Sequence, residues 1–226
     1  MEARERGALV EPVWSIEFGI PAGEVTLPGT LEIGPDSFGI VLFAHGSGSS
    51  RLSPRNRYVA SVLHQAGLAT LLFDLLTDDE VEDRMNVFDI GLLSERLLSA
   101  VRFVARDART SDLSIGCFGA STGAGAALVA AARDPRIHAV VSRGGRPDLA
   151  HEWLDQVTAP TLFIVGGEDF DVLDLNRRAL AHLRGPRQLS VIPGATHLFE
   201  EPGAMQQVAR FATQWFDRHL PRGERP

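Results

Sequence analysis

The segment GCFGASTGAG, residues 116–125, constrains this chain more than any other. Within it, Gly119-Ala120-Ser121-Thr122-Gly123 fits the pattern G-x-S-x-G. The pattern follows an apolar run, residues 113–118, and opens an alanine-rich stretch, residues 122–133, stopped by Pro135. A serine in that context occupies a strained turn from strand to helix. Glycines two places before and after let neighbouring backbones approach, and the turn lifts the hydroxyl above the carboxyl edge of a sheet. The N-terminus of the following helix supplies a positive field for a developing oxyanion. A buried strand, a sharp turn and a small-residue helix are thus required together.

The rest of the chain keeps the same rhythm. FGIVLFAHG, residues 38–46, reads as a strand buried on both faces that ends in a glycine-rich loop. Ser53-Pro54 gives an N-cap and a proline in the first turn for a helix with Val59, Val62, Leu63 and Ala66 on its apolar stripe. Further strands are predicted over residues 69–76, 137–142, 161–165 and 189–192, alternating with helices over about 88–107, 149–156, 172–183 and from Pro202 onward. Alternation of this kind implies a mostly parallel sheet with helices on both faces. Residues 14–20 and 24–33 read as two strands joined by a turn at 21–23, with Pro28-Gly29 interrupting the second. Residues 77–87 read as a polar loop whose Asp78, Asp79, Glu80, Glu82 and Asp83 form a solvated acidic face. Residues 1–12 are expected to be a polar tail, 13–220 one domain, and 221–226 a flexible C-terminal tail.

Other nucleotide-binding architectures fail on spacing. HGSGSS lacks the G-x-G-x-x-G order, and no strand is followed by G-x-x-x-x-G-K-[ST]. With 22 basic and 29 acidic residues the net charge is −7, which argues against general binding to nucleic acid or an anionic membrane. No apolar run approaches the length needed to span a bilayer, and the start MEARERGALVEP does not resemble a secretory signal. Cys117 is the single cysteine, so an internal disulfide and a cysteine-rich metal site are excluded. It lies four residues before Ser121, inside the strand, where a thiol is a core filler. A cytoplasmic location is the expectation.

A serine nucleophile needs a histidine to take its proton and a carboxylate to orient that histidine. Among the histidines after Ser121, His197 in PGATHLF follows the last predicted strand and precedes the last helix, at the carboxyl edge. His138 begins a strand at the opposite edge, and His182 and His219 lie on predicted helices. The acid is sought in IVGGEDFDV after the penultimate strand. Asp169 is preferred there, with Glu168 and Asp171 as neighbours on the same loop. Asp171 is the better placed to cap a helix beginning near Val172, and Asp74 at an earlier strand end is a weaker alternative. The order Ser121, Asp169, His197 is one of the known orders of catalytic triads. Two backbone N–H groups are expected to hold the oxyanion: that of Thr122, just after the nucleophile, and that of Ser47 in the loop His45-Gly46-Ser47-Gly48. His45 is expected to brace that loop. Arg143 and Arg146, in SRGGRP at the active edge, could receive an anionic substrate group, with a salt bridge to a neighbouring loop as the alternative for each.

The motifs HGSGSS, GCFGASTG, VGGEDFDV and GATHLF, placed in order on successive strand ends, resemble the alpha/beta-hydrolase superfamily, and within it the compact dienelactone-hydrolase-like proteins. The resemblance covers about residues 24–220. It implies an eight-stranded, mostly parallel sheet with the second strand antiparallel, residues 14–33 supplying the first two strands, and a minimal cap. It also implies an acyl-enzyme mechanism with no cofactor and no metal: Ser121 attacks, His197 shuttles the proton and Asp169 orients it. Dienelactone hydrolases proper carry cysteine at the elbow position that is Ser121 here. The expected activity is a serine carboxylesterase acting on a small-molecule acyl substrate. A thioesterase, amidase or acyltransferase on the same fold is the first alternative, and a noncatalytic binding or regulatory protein the second. The expected state is a monomer or homodimer. Some bacterial relatives of the compact type are joined to a phosphoribosyltransferase domain, which makes such a protein a conceivable partner.

Overall fold

The computed structural model describes residues 13–222. The expected tail at residues 1–12 lies outside them.

Strand residues alternate between two apolar layers, and this builds the domain. In β3 (Gly39–Ala44), Ile40, Leu42 and Ala44 face one core while Val41 and Phe43 face the other. The remaining strands are β1 (Trp14–Ala22), β2 (Val25–Ile33), β4 (Leu68–Phe73), β5 (Ser114–Ala120), β6 (Ile137–Arg143), β7 (Thr161–Gly166) and β8 (Arg187–Ile192). They form one eight-stranded sheet in the order β1-β2-β4-β3-β5-β6-β7-β8. β2 runs antiparallel to both neighbours, and the pairs from β4 to β8 are parallel.

Helices α1 (Pro54–Gln65) and α7 (Ala204–His219) pack together on one face, where Val59, Leu63, Val208, Ala212 and Phe216 are buried. Helices α4 (Ile90–Val104), α5 (Thr122–Arg133) and a 3-10 segment (Pro147–Gln156) cover the other face, with α6 (Phe170–Leu180) against the 3-10 segment. The 3-10 segment is all the regular structure between β6 and β7, so the expected minimal cap is observed. No helix among the described residues is long and apolar enough to cross a membrane.

Four local expectations change. Pro28-Gly29 does not break β2: Pro28 pairs with Gly19 of β1, and its carbonyl accepts from Asp74 N–H at 3.0 Å. The β2–β4 register begins at Gly29, so proline's missing N–H removes no bond from that side of the ladder. The acidic segment after β4 is not a plain loop but two short helices, α2 (Asp78–Glu82) and α3 (Arg84–Phe88). Thr77 and Glu80 form a capping box on α2, and Asp83 caps α3 through Met85 N–H at 2.8 Å. Glu80 also pairs with Arg96 at 2.6 Å, so only part of the acidic run is a solvated face. Of the expected C-terminal tail, residues 223–226 lie outside the described residues, and Pro221 and Arg222 make contacts. Ser114 Oγ donates to the Pro221 carbonyl at 2.6 Å, and Arg222 pairs with Asp217 and lies over the Phe38 ring. Finally, α6 starts at Phe170, so Asp169 takes the cap position expected for Asp171, and its side chain makes no capping bond.

Candidate active site

Ser121 is held in a backbone conformation that serine rarely adopts, φ 51° and ψ −119°, between the end of β5 and the start of α5. The flanking glycines explain how the turn closes. A Cβ on Gly123 would lie 2.1 Å from the Ala44 carbonyl oxygen and 2.4 Å from that of His45. A Cβ on Gly119 would lie 2.4 Å from Ala124 Cα. Glycine at both places lets β3 and the first turn of α5 pack against the elbow. Among the described residues the Ser121 hydroxyl makes no hydrogen bond. Its main chain is fixed: the N–H donates to the Arg143 carbonyl at 3.2 Å, and the carbonyl accepts from Ala124 and Arg146 N–H groups, both at 3.1 Å.

His197 lies on the loop after β8 and Asp169 on the loop after β7. The His197 Nδ1 donates to Asp169 Oδ2 at 2.6 Å, which leaves Nε2 as the outward nitrogen. Of the other carboxylates weighed as the acid, Glu168 and Asp171 are exposed, and Asp74 accepts from Arg51 N–H at 2.7 Å. The His197 ring packs on Gly144, whose hypothetical Cβ would stand 3.5 Å from His197 Cε1. Its loop is clamped by a bond not anticipated from sequence. Glu201 Oε1 accepts from the Thr196 N–H at 3.0 Å and from the Thr196 hydroxyl at 2.6 Å. The hydroxyl's bond first, then Glu201's own backbone N–H and that of Thr196, hold the Glu201 carboxyl below the usual carboxylate range. Phe199, two residues past the histidine, is buried with φ 55° and anchors the loop in the core under α7.

The two expected oxyanion donors are neighbours, but they are not alike. Thr122 begins α5, so its N–H has no acceptor within the helix. Ser47 N–H donates to the Thr122 hydroxyl at 3.0 Å, so that side chain occupies the Ser47 donor and ties the loop after β3 to the elbow. An oxyanion bound there must share or displace that hydroxyl. His45 braces the loop from below. Its Nε2 accepts from Leu75 N–H at 3.1 Å and its Nδ1 donates to the Gly46 carbonyl at 3.1 Å. Burial pushes its pKa below the ordinary histidine value, outweighing the Gly46 carbonyl and Asp74, and keeps the ring neutral.

The two arginines separate cleanly. Arg146 forms a bidentate pair with Asp148 at 2.8 and 2.7 Å and is engaged. Arg143 has no carboxylate partner among the described residues. Its Nη1 lies 3.9 Å from Met205 Sδ, and burial together with the charge of Arg55 pushes its pKa down to about 10. Cys117 is fully buried, which pushes its thiol far above the range of a usable thiolate. No cluster of three or more histidine, cysteine or acidic side chains suited to a metal ion is present among the described residues. The arrangement holds a serine, a carboxylate-oriented histidine and a helix N-terminus along one sheet edge, which is the equipment of acyl transfer.

The fold has counterparts among known proteins. The pattern described as the Dienelactone hydrolase family matches residues 53–220. A crystal structure of dienelactone hydrolase from Anabaena variabilis ATCC 29413 is 55% identical, with a TM-score of 0.90 over 92% of this chain and 99% of that one. Est1E from Butyrivibrio proteoclasticus, with ferulic acid bound, shares the fold at 16% identity and a TM-score of 0.79, over 89% of this chain and 98% of that one. Two Mycobacterium tuberculosis proteins, from strains CDC 1551 / Oshkosh and ATCC 25618 / H37Rv, are provisionally named phosphoribosyl transferases. Each is 59% identical over 92% of this chain but only 47% of its own length, so the chain spans about half of these relatives.

Proposed function

The chain belongs to the dienelactone hydrolase family, and on that premise we propose that it is a cofactor-independent serine hydrolase of small carboxylic esters. The observation that carries this reading is the 2.6 Å bond from His197 to Asp169 on the same sheet edge as the strained Ser121. Ser121 Oγ attacks the ester carbonyl carbon while its proton passes to His197 Nε2. Asp169 keeps the ring oriented and balances the imidazolium charge. The tetrahedral oxyanion is held by the Thr122 N–H and by the Ser47 N–H as the Thr122 hydroxyl yields it. Cleavage of the carbon–oxygen bond releases the alcohol, which takes the proton from His197. Water then attacks the acyl carbon, giving a proton to His197, and collapse releases the carboxylic acid and returns that proton to Ser121. Arg143, a partly buried cation without a carboxylate partner among the described residues, is the residue proposed to receive an anionic substituent; Arg146 is withdrawn from that role by Asp148.

The test is a fluorophosphonate probe with mass mapping, run beside matched ester, thioester and amide substrates. Labelling of Ser121, ester cleavage, and loss of both in Ser121→Ala support the reading. Faster cleavage of the thioester or amide would move the chain to the thioesterase or amidase alternative. Neither labelling nor turnover would favour a noncatalytic binding role.

The name carried by the Mycobacterium tuberculosis relatives supports a proposal about partners. This chain matches only about half the length of those proteins, and we place the activity in their name in the half it does not match. A phosphoribosyltransferase, joined or separate, is therefore the proposed partner of this hydrolase unit.

A further inference from the structure

The carboxyl edge of the sheet divides at Ser121. Asp169 and His197 arrive from β7 and β8 on one side, while the loop after β3 and the helices α2 and α3 after β4 stand on the other. A leaving alcohol must face the His197 Nε2 that protonates it, so the acyl substituent of a bound ester runs the opposite way. A cleft lies there. It is bounded by Ser47 and Thr122 and walled by Leu75, Leu76, Val81, Val87 and Leu93. Leu75, Leu76 and Leu93 close its floor, all buried, and Val81 on α2, 48% exposed, forms the outer wall. The cleft holds about 20 Å3. That small volume between apolar walls suits a short acyl group.

The wall is fixed in place. Glu80, next to Val81, accepts from the Thr77 N–H at 2.9 Å, pairs with Arg96 of α4 at 2.6 Å, and offers its carbonyl to the Asn86 side chain at 3.0 Å. Asp89 caps α4 through Leu92 N–H at 2.9 Å, holding the far end of the same segment. Four ties over so short a stretch make α2–α3 a wall rather than a moving lid.

Resting on the serine-ester reading above, we propose that this cleft is the acyl subsite, that it selects acetyl-sized acyl groups, and that Val81 sets the limit while Glu80 positions Val81. A methylene too many in an apolar pocket changes kcat/KM by roughly 10- to 200-fold. The test measures kcat/KM of the full chain on the p-nitrophenyl esters of acetate, butyrate and octanoate, with fluorophosphonate labelling of Ser121 in parallel. The wild type should prefer acetate to butyrate by about tenfold or more. Val81→Ala, and Val87→Ala as a second widening variant, should raise the butyrate-to-acetate ratio about tenfold. Glu80→Gln should raise the same ratio while acetate turnover is kept; an equal loss on both esters would mark Glu80 as merely structural and overturn its positioning role. Equal turnover of butyrate and acetate by the wild type, or a ratio that neither valine variant moves, overturns the subsite while Ser121 is still labelled. Absence of both labelling and ester turnover overturns the serine-ester reading itself, and the subsite with it.

Discussion

His197 Nδ1 stands 2.6 Å from Asp169 Oδ2, across a separation of 28 residues in the chain. The parallel pairing of β7 and β8 brings the two loops side by side, and Gly144 leaves the space into which the imidazole ring packs. Asp169 begins a helix without capping it, so its carboxylate is committed to the histidine.

Replacing Asp169 with Asn should therefore separate chemistry from stability. The oriented tautomer is lost, and kcat should fall by about three to four orders of magnitude with little change in KM. Because no capping bond is lost, the unfolding midpoint should move by less than about 1 kcal/mol in stability. Steady-state kinetics beside urea denaturation measures both; a large loss of stability would mean that Asp169 is chiefly structural.

Ser121 offers a contrast between two small substitutions. Its φ of 51° is strained for any residue with a Cβ. Ser121→Gly should raise stability by about 1 kcal/mol, whereas Ser121→Ala keeps the strain and should not. Both should abolish fluorophosphonate labelling. Equal stability of the two variants in chemical denaturation would show that the elbow stores no strain.

Gly123 predicts the reverse. A methyl group there meets the backbone oxygens of Ala44 and His45 at 2.1 and 2.4 Å, and neither can give way as a flexible side chain would. Gly123→Ala should cost about 3 kcal/mol and depress turnover by shifting the loop that carries Ser47. Thermal unfolding checks the first effect and ester kinetics the second.

His45 gives a dependence on pH. Burial lowers its pKa from the ordinary 6.5, so between that value and the lowered native one the unfolded chain binds a proton that the folded chain does not. Stability is then fully present above pH 6.5 and falls as the pH drops through that window. A protonated ring would also lose its bond from Leu75 N–H. In His45→Gln, which cannot titrate, the urea midpoint should be less dependent on pH between about 7 and 5 than in the wild type. An identical pH slope in both proteins would assign the dependence to other groups.

Arg143 is a partly buried cation without a carboxylate partner among the described residues. Removing it in Arg143→Met should leave stability unchanged or raised, because no salt bridge is broken and its repulsion from Arg55 is relieved. The preference for an anionic over a neutral ester should fall about tenfold, consistent with the loss of one charge-assisted contact of about 1.5 kcal/mol. Parallel kcat/KM values on a charged and an uncharged ester decide it.

Much of this protein is legible in its sequence because the signals are local. Strand periodicity, the glycines around Ser121 and the strand-end positions of Asp169 and His197 are set by near neighbours in the chain, and the sheet assembles them along one edge. The pattern Thr77-Asp78-Asp79-Glu80 was an equally local sign of a helix start, and it explains the wall that a loop assignment missed.

What the sequence by itself determined was the fold and the kinds of group at the carboxyl edge of its sheet. Which carboxylate meets His197, which arginine keeps no partner, and whether Ser47 N–H is free depend on separations of about 3 Å across residues distant in the chain. Spacing along a strand end places a residue only to within a loop's reach, several times that distance. Packing of β3 against α5 brings the Thr122 hydroxyl onto Ser47 N–H, and the turn after β6 gives Arg146 to Asp148 while leaving Arg143 without a carboxylate among the described residues. Those choices belong to the tertiary structure because hydrogen bonds and ion pairs form only at contact, and contact is fixed by the packed core rather than by the order of residues.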